Sequence, residues 1–177
     1  MKSLNAQQLL PTLLAAVGVP DVKEQLLKGM KVGKKTFKVH LDGYNISDRL
    51  AGKGPNPRRA FFYWNDDGSL VGLRFDNWKV VFQEQRSEGF DVWQDPFTPL
   101  RLPKIINLRS DPFERAEHES IGYSRWRIDR IYLLVPAQEF VAQYIATFKE
   151  FPPSQKVGSF SLDQVLEKLT AASTSGV

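Results

Sequence analysis

The sequence predicts an α+β fold in which a small four-stranded antiparallel sheet packs on a C-terminal helix. Two turn signals divide the segment 61–83 into three strands, and KIINL at 104–108 has the β-branched content of a fourth. A helical stripe follows, whose residues recur every three or four positions: Phe140, Val141, Tyr144, Ile145 and Phe148. With 177 residues, 42% of them hydrophobic, the chain is large enough to form one core.

The first three strands share one register in this prediction. Asp67-Gly68 is typical of a two-residue hairpin turn, which places Phe62 opposite Leu73. A second turn at Asp76-Asn77 then places Leu73 opposite Val80. This register makes one face of the three strands entirely apolar, and we expect that face to point to the core. It consists of Ala60, Phe62, Trp64, Val71, Leu73, Phe75, Trp78, Val80 and Phe82.

Shorter elements precede the sheet. Proline and glycine positions predict short helices at about 11–17 and 22–28, a hairpin around Gly33-Lys34 and a helical fragment in ISDRLAG. After the third strand, three prolines between residues 84 and 103 predict a long irregular excursion. We expect its large apolar side chains to pack back onto the protein: Phe90, Val92, Trp93 and Phe97.

The end of the chain is predicted to be helical. Pro136 is tolerated at a first helical position, so we expect the long helix to begin there. Ser161 and Gln164 have capping-box spacing, which predicts a last helix at 162–169. We therefore expect three segments, namely short helices and basic loops at 1–59, the sheet with its packing helix at 60–151, and a terminal helix with a frayed tail at 152–177.

Composition limits the function classes. The chain has no cysteine, which excludes disulfides, thiolate metal sites and a cysteine nucleophile. No apolar run approaches the roughly 20 residues of a membrane span, and the start lacks a signal-peptide pattern. We expect a soluble chain, cytoplasmic or periplasmic, with no membrane partner. The net charge is +4, and residues 21–59 alone carry +6, so this basic segment could bind an anionic ligand or could be solvated loops.

Two groups of side chains are chemically suggestive. Asp66, Asp67 and Asp76 could form a carboxylate cluster for a metal, but each falls at a predicted turn, where aspartate is common for local hydrogen bonding. Arginines 125, 127 and 130 beside Trp126 could stack on nucleic-acid bases, or could form a salt-bridged surface with Asp129 and Glu119. For the aspartates we favour the turn interpretation, and for the arginines we favour the salt-bridged surface. We therefore do not expect nucleic acid as a partner.

Five segments in order resemble the formylglycine-dependent sulfatases, of the alkaline-phosphatase-like superfamily. They are LLPTLLAAVGVP, HLDGYN, LRFDNWKVVF, INLRSDPFERAEH and the distal run from LLVPAQEF to LEKL, which is similar to the end of a bacterial arylsulfatase subgroup. The resemblance extends from about Leu9 to Leu169. It implies the C-terminal region of such an enzyme, with a four-stranded antiparallel subdomain on a helix, and it makes 1–59 the edge of a main domain that is otherwise missing.

The resemblance also implies where the chemistry lies. These enzymes use a formylglycine made from Cys or Ser in C/S-x-P-x-R, together with calcium, and both are carried by the part that precedes the PTLL helix. Ser110 begins the nearest Ser-x-Pro, but Glu114 stands where the signature needs Arg. We therefore assign no catalytic residue, metal ligand or cofactor to this chain. In HLDGYN, His40 and Asp42 either form a structural turn or line the rim of a substrate pocket.

Three function classes remain. The first is an arylsulfatase-like C-terminal region with a structural and pocket-rim role, inactive alone, whose partner is an N-terminal sulfatase catalytic domain or a second copy. The second is a stand-alone binding module that holds an anionic ligand through residues 21–59. The third is a hydrolase with an unrecognised site, which the lack of a nucleophile and base pair disfavours.

Overall fold

The computed structural model describes residues 6–153 and 157–159, which form two units. The first unit contains the residues up to Phe61 together with Gln138–Pro152. The second contains Phe62–Ala137, with Pro153 and residues 157–159. In the part of the chain described, no helix is long and apolar enough to cross a bilayer.

The first unit is built from short elements. A 3-10 turn at Ala6–Gln8 leads into α1, and the elements follow as α1 (Leu9–Ala16), α2 (Val22–Lys28), β1 (Met30–Val32), β2 (Lys35–Phe37) and α3 (Ser47–Leu50). β1 and β2 form an antiparallel hairpin with Lys31 opposite Thr36, which confirms the predicted hairpin around Gly33-Lys34. Both predicted helices at the start of the chain are also confirmed, within two residues.

The second unit holds the sheet. Its strands are β3 (Ala60–Trp64), which begins in the first unit, β4 (Leu70–Phe75), β5 (Trp78–Glu84) and β6 (Thr98–Asn107), in the order β3-β4-β5-β6. Short helices follow as α4 (Ala116–Glu119), α5 (Tyr123–Ile128) and a 3-10 turn at Ile131–Leu133. α6 (Leu134–Ala146) runs from the second unit into the first, where a 3-10 turn at Thr147–Lys149 ends it. The α+β class and the four-stranded antiparallel sheet are confirmed.

The register of the central strands explains the core of the second unit. Leu73 lies opposite Val80, and Val80 lies opposite Ile105, so three apolar side chains share one face at the centre of the sheet. All three are at most 1% exposed. This confirms the predicted turn at Asp76-Asn77, where Asp76 has a φ of 48°.

The first hairpin differs from the prediction by one residue. Asn65 N–H donates to the Ser69 carbonyl at 3.1 Å, so three residues rather than two form the loop. Gly68 supplies the positive φ, +74°, and the Asn65 side chain accepts from Ser69 N–H at 2.7 Å. The predicted two-residue turn was therefore wrong, whereas the pairing of Phe62 with Leu73 stays a prediction.

The predicted excursion at 84–103 is shorter than expected, because β6 begins at Thr98. Pro99 and Pro103 lie inside this strand, which is possible because β6 is the last strand of the sheet and needs no donor on its outer side. A register shift opposite Val81 and Gln83 separates its two halves. The prediction that the excursion packs inward was wrong for Phe90 and Trp93, which are 75% and 78% exposed.

The long helix begins at Leu134, two residues before the predicted start. Pro136 is therefore the third residue of α6, within the first turn, where a backbone N–H has no partner inside the helix. Packing of the Phe140 stripe on the sheet stays a prediction, as does the division into three segments. The predicted last helix at 162–169 lies outside the described residues.

Candidate functional site

A close approach between two backbone segments positions the HLDGYN segment in the first unit. A Cβ on Gly43 would collide with the Gln7 carbonyl oxygen and would lie 3.0 Å from the Pro11 ring, so only glycine fits there without a shift. Next to it, Ile46 N–H donates to Thr12 Oγ1 at 3.2 Å. The turn that carries Asp42 is therefore fixed against the start of α1.

Asp42 is the centre of a polar group that we call the Asp42 cluster, comprising His40, Asp42, Arg58 and Tyr144. His40 Nδ1 lies 3.2 Å from Asp42 Oδ1, and Tyr144 Oη donates to Asp42 Oδ2 at 3.2 Å. Because a carboxylate only accepts, the first contact places a proton on His40 Nδ1 and leaves Nε2 as the lone-pair nitrogen of the neutral ring. Asp42 thus holds the imidazole in one tautomer.

Arg58 anchors the backbone of the same turn. Its Nη2 donates to the Asp42 carbonyl oxygen at 2.7 Å and to Gln7 Oε1 at 3.1 Å. Its guanidinium carbon also lies 5.5 Å from the centre of the Tyr44 ring. Arg58 therefore joins the 3-10 turn before α1 to the HLDGYN segment.

Burial and nearby charges shift the pKa values of Tyr144 and Lys23, two side chains close to Asp42. Burial raises the pKa of Tyr144 to about 12, helped by the negative charge of Asp42 and by the hydrogen bond to it, while Arg58 opposes the shift. The pKa of Lys23 is lowered, chiefly because burial disfavours the charged ammonium group; the Asp42 charge opposes the shift and Arg58 reinforces it. Tyr144 is consequently a neutral donor at physiological pH.

An aromatic side chain and a basic side chain flank His40. The Phe151 ring lies 5.8 Å from the imidazole ring, and Lys38 Nζ lies 5.6 Å from the centre of the same Phe151 ring. Lys38 also pairs with Glu150 at 2.7 Å. The His40 side chain is 24% exposed, so the imidazole is partly accessible to a ligand.

The Asp42 cluster presents hydrogen-bonding and aromatic groups that could orient a ligand. Among residues 6–153 and 157–159, no hydroxyl group hydrogen-bonds to His40, so no nucleophile is placed for activation by this imidazole. The groups that a ligand could meet are His40 Nε2, the Phe151 ring and the Lys38 ammonium.

Sequence reasoning found part of this cluster. It singled out His40 and Asp42, and the structure brings these two side chains together. It missed Tyr144, which the sequence pattern placed in an apolar helical stripe, and it treated Arg58 as one charge of a basic loop. Because 102 residues separate Asp42 from Tyr144, no local spacing signals that contact.

Two of the three turn aspartates and one of the three arginines have structural roles, and Glu119 pairs with an arginine outside the predicted set. Asp67 accepts from Ser159 N–H and Oγ, both at 2.7 Å, and Asp76 forms the second hairpin turn. Arg130 lies 4.5 Å from the centre of the Trp126 ring and donates to the Trp126 carbonyl, while Glu119 pairs with Arg115. In the described ranges, no three His, Asp or Glu side chains are grouped to hold a metal ion, so these residues do not fit a calcium site.

Comparison with known proteins relates the chain to sulfatases. No protein-family model matches it. It is 28% identical over 117 residues to Arylsulfatase A of Homo sapiens, an alignment that covers 60% of this chain and 20% of that protein. The fold is similar to the crystal structure of the PsFucS1 sulfatase from Pseudoalteromonas sp., with a TM-score of 0.44, 21% identity, and coverage of 64% of this chain and 22% of that one.

The sequence match confirms the resemblance to arylsulfatases. The chain spans about a fifth of the length of each of the two proteins. This partial coverage is consistent with a C-terminal region.

Proposed function

We propose that this chain acts as the C-terminal region of an arylsulfatase-like sulfuric ester hydrolase, with a structural and pocket-rim role and no catalysis of its own. The observation that carries the proposal is the 28% identity with Arylsulfatase A over 117 residues. The Asp42 cluster adds a partly exposed, oriented imidazole within the HLDGYN segment of the sulfatase resemblance.

Ser110-Asp111-Pro112 is the one Ser-x-Pro in the sequence, and its side chains hydrogen-bond to the backbone of a turn. Ser110 Oγ donates to the Asn107 carbonyl at 3.3 Å. The Asp111 carboxylate accepts from the N–H groups of Arg115 and Ala116, at 3.0 and 2.9 Å. These bonds close a turn in which both side chains are engaged with the backbone. A nucleophile has to come from a catalytic region.

The pocket-rim role falls to His40 and Asp42. An imidazole with a fixed tautomer can accept a hydrogen bond at Nε2 when neutral and donate one there when protonated. Lys38, whose Nζ lies 5.6 Å from the centre of the Phe151 ring, adds positive charge nearby. Such a rim favours an anionic substrate, as a sulfate ester is.

The catalytic region docks on the exposed face of α1. Four large apolar side chains of this helix and its C-cap are more than half exposed: Leu9 at 57%, Leu10 at 51%, Leu13 at 63% and Val17 at 75%. Positions 9, 13 and 17 recur every four residues, so with Leu10 they form one stripe. A contiguous apolar stripe of this kind marks an interaction surface.

A first experiment tests the absence of catalysis. The purified chain is incubated with an aryl sulfate, with and without calcium, beside the His40→Ala variant. We expect no turnover above the blank in any sample. Turnover that follows the protein through purification and falls in His40→Ala would contradict the proposal.

A second experiment tests the docking surface. We expect the isolated chain to bind a hydrophobic dye or to self-associate, and the double variant Leu13→Gln, Val17→Gln to lose most of that signal. Lys28→Gln, an exposed change on α2, is the matched control and should not alter it. A monodisperse chain with no dye binding would contradict docking through α1.

In the protein that carries both regions, His40→Ala tests the rim. We expect a higher KM for the aryl sulfate and little change in kcat, because the imidazole contacts the substrate outside the reacting bond. A fall in kcat of several orders of magnitude would instead place His40 in the chemistry. An unchanged KM would remove it from the rim.

The basic segment 21–59 supports a second candidate, a module for an anionic ligand. Lys31, Lys34 and Lys35 of the β1–β2 hairpin are exposed, as phosphate or sulfate contacts require. Elution from heparin at high salt, shifted to low salt in Lys34→Gln, Lys35→Gln but not in Lys149→Gln, would favour this candidate. Elution in the void volume at low salt would exclude it.

A further inference from the structure

A cavity of 320 Å³ lies within the second unit and shares no residue with the Asp42 cluster. It is bounded by the end of β6 at Ile105–Asn107, by the turn at Ser110-Asp111, and by α4 and α5. The volume falls at the lower end of the range for small-molecule pockets, about 300 to 1,000 Å³. A single small ring fits a space of this size.

Two aromatic rings form one wall, and their positions are fixed. Tyr123 is 6% exposed, and its Oη donates to the Ile105 carbonyl at 3.0 Å. The Tyr123 and Trp126 rings stack with centres 6.0 Å apart and an angle of 23°, and Trp78 packs against Trp126 at 6.1 Å. Because the wall is held before any ligand arrives, binding does not have to order it.

The lining carries little free polarity. Both Asp111 carboxylate oxygens accept backbone N–H groups, and Ser110 Oγ donates to a carbonyl. Asn107 Oδ1 accepts from Arg109 N–H at 3.0 Å. Among the described residues, this leaves the Asn107 amide N–H groups and the Ser120 hydroxyl for a ligand. A ligand with many hydroxyl groups would lose more hydrogen bonds to water than this lining replaces.

The residues that line the cavity carry no positive charge. None of its residues is Lys, Arg or His, and its one ionisable acid is Asp111. Burial also raises the pKa of Tyr123, so its phenol group stays neutral in the physiological range. The guanidinium groups of Arg127 and Arg130 lie 5.7 and 4.5 Å from the centres of the Tyr123 and Trp126 rings, but neither residue belongs to the lining. An anion in the cavity would therefore be desolvated without a lining cation to compensate.

We propose that this cavity binds an uncharged, flat, mainly apolar ring with one hydrogen-bonding substituent, of which phenol is the simplest example. The ring lies along the wall of Tyr123 and Trp126, with Ile105 and Ala116 as further apolar lining. Its hydroxyl group bonds with the Asn107 amide or the Ser120 hydroxyl. Phenol-like rings are thus distinguished from sugars by polarity and from aryl sulfates by charge.

The test is a titration of the whole chain with phenol, followed through the Trp126 indole and Ile105 methyl NMR signals. We expect saturable shifts confined to the cavity. Glucose and phenyl sulfate, at equal concentration, should bind at least about tenfold more weakly, because each lacks one of the two required properties. Equal affinity for either compound would contradict the ligand class, and the absence of saturable shifts would contradict the site.

Filling the cavity gives the decisive variants. Ala116→Leu and Gly122→Leu each place a larger side chain in the lining, and a Cβ on Gly122 meets no heavy atom within 4 Å, so the second variant should fold even if the first does not. Ala146→Leu, an exposed change on α6, is the matched control. We expect phenol binding to fall at least about tenfold in the filled variants and to persist in the control. Unchanged binding in Gly122→Leu would overturn the proposal.

Discussion

The sheet centre around Leu73 and the Asp42 cluster are held together by different forces. Leu73 and Val80 are 0% exposed, and packing against Ile105 stabilises them. In the Asp42 cluster, the His40 and Asp42 side chains are 24% and 37% exposed, and hydrogen bonds hold them. Burial of apolar side chains therefore stabilises the sheet centre, whereas hydrogen bonds fix the positions of a few polar atoms in the cluster.

The largest expected effect is in the sheet. Leu73→Ala removes a fully buried side chain and leaves a cavity, so the free energy of unfolding should fall by about 2 to 5 kcal/mol. Urea denaturation measures it. Leu50→Ala, at a side chain 61% exposed, is the control and should cost less than about 0.5 kcal/mol. Equal losses for the two variants would show that Leu73 is not central.

The next effect falls on the turn that carries the cluster. Gly43→Ala forces a Cβ against the Gln7 carbonyl, and we expect a loss of about 1 to 3 kcal/mol in unfolding free energy, as in overpacked sites. Gly54→Ala is the matched control, since a Cβ there meets only the Asp48 Cβ at an ordinary 3.6 Å. A neutral Gly43→Ala would mean that the turn and α1 do not approach as closely as described.

Tyr144→Phe removes one hydrogen bond from the cluster. We expect a loss of about 0.5 to 1.5 kcal/mol at neutral pH. Tyr132→Phe, at a side chain 62% exposed, should be neutral. Amide chemical shifts around Asp42 should move in Tyr144→Phe alone; unchanged shifts there would separate Tyr144 from the cluster.

The same variant has an alkaline signature. The pKa of Tyr144 is about 12 in the folded chain and about 10 in an unfolded one. The folded state therefore binds this proton more tightly, and its stabilising contribution is complete below pH 10 and lost as pH rises to 12. The stability difference between wild type and Tyr144→Phe should narrow over that window. The lowered pKa of Lys23 changes stability with the opposite sign. Because Lys23 is present in both proteins, its contribution cancels in the stability difference. A constant difference would contradict the pKa shift.

The smallest effect belongs to the surface pair beside His40. Lys38 and Glu150 are 54% and 62% exposed, so Lys38→Ala should cost at most about 1 kcal/mol, and less in high salt. Denaturant melts at low and high salt measure the change. A larger, salt-independent loss would mean that Lys38 supports the cluster through packing on Phe151.

The sheet could be predicted from the sequence because its signals are local. Alternating apolar residues and the Asp76-Asn77 turn were sufficient for the β4–β5 register. The first hairpin loop was predicted one residue too short, because the Asn65 side chain caps a longer loop by bonding to Ser69 N–H. β6 was predicted too short, because prolines argue against a strand unless its place at the end of the sheet is known.

The Asp42 cluster could be predicted only in part. The spacing of His40 and Asp42 is local, and their segment was singled out. The contributions of Arg58 and Tyr144 depend on tertiary contacts across 16 and 102 residues, which composition and periodicity do not reveal. Tyrosine in an apolar stripe gives no sign that its hydroxyl group reaches a carboxylate.

The most direct test of the proposed function is to isolate the native protein with antibodies against this chain and to sequence its peptides by mass spectrometry. The account predicts a peptide with the C/S-x-P-x-R signature, in the same polypeptide or in a chain bound through the α1 stripe and released by Leu13→Gln, Val17→Gln. A native protein of 20.2 kDa with no signature-bearing chain attached would contradict it.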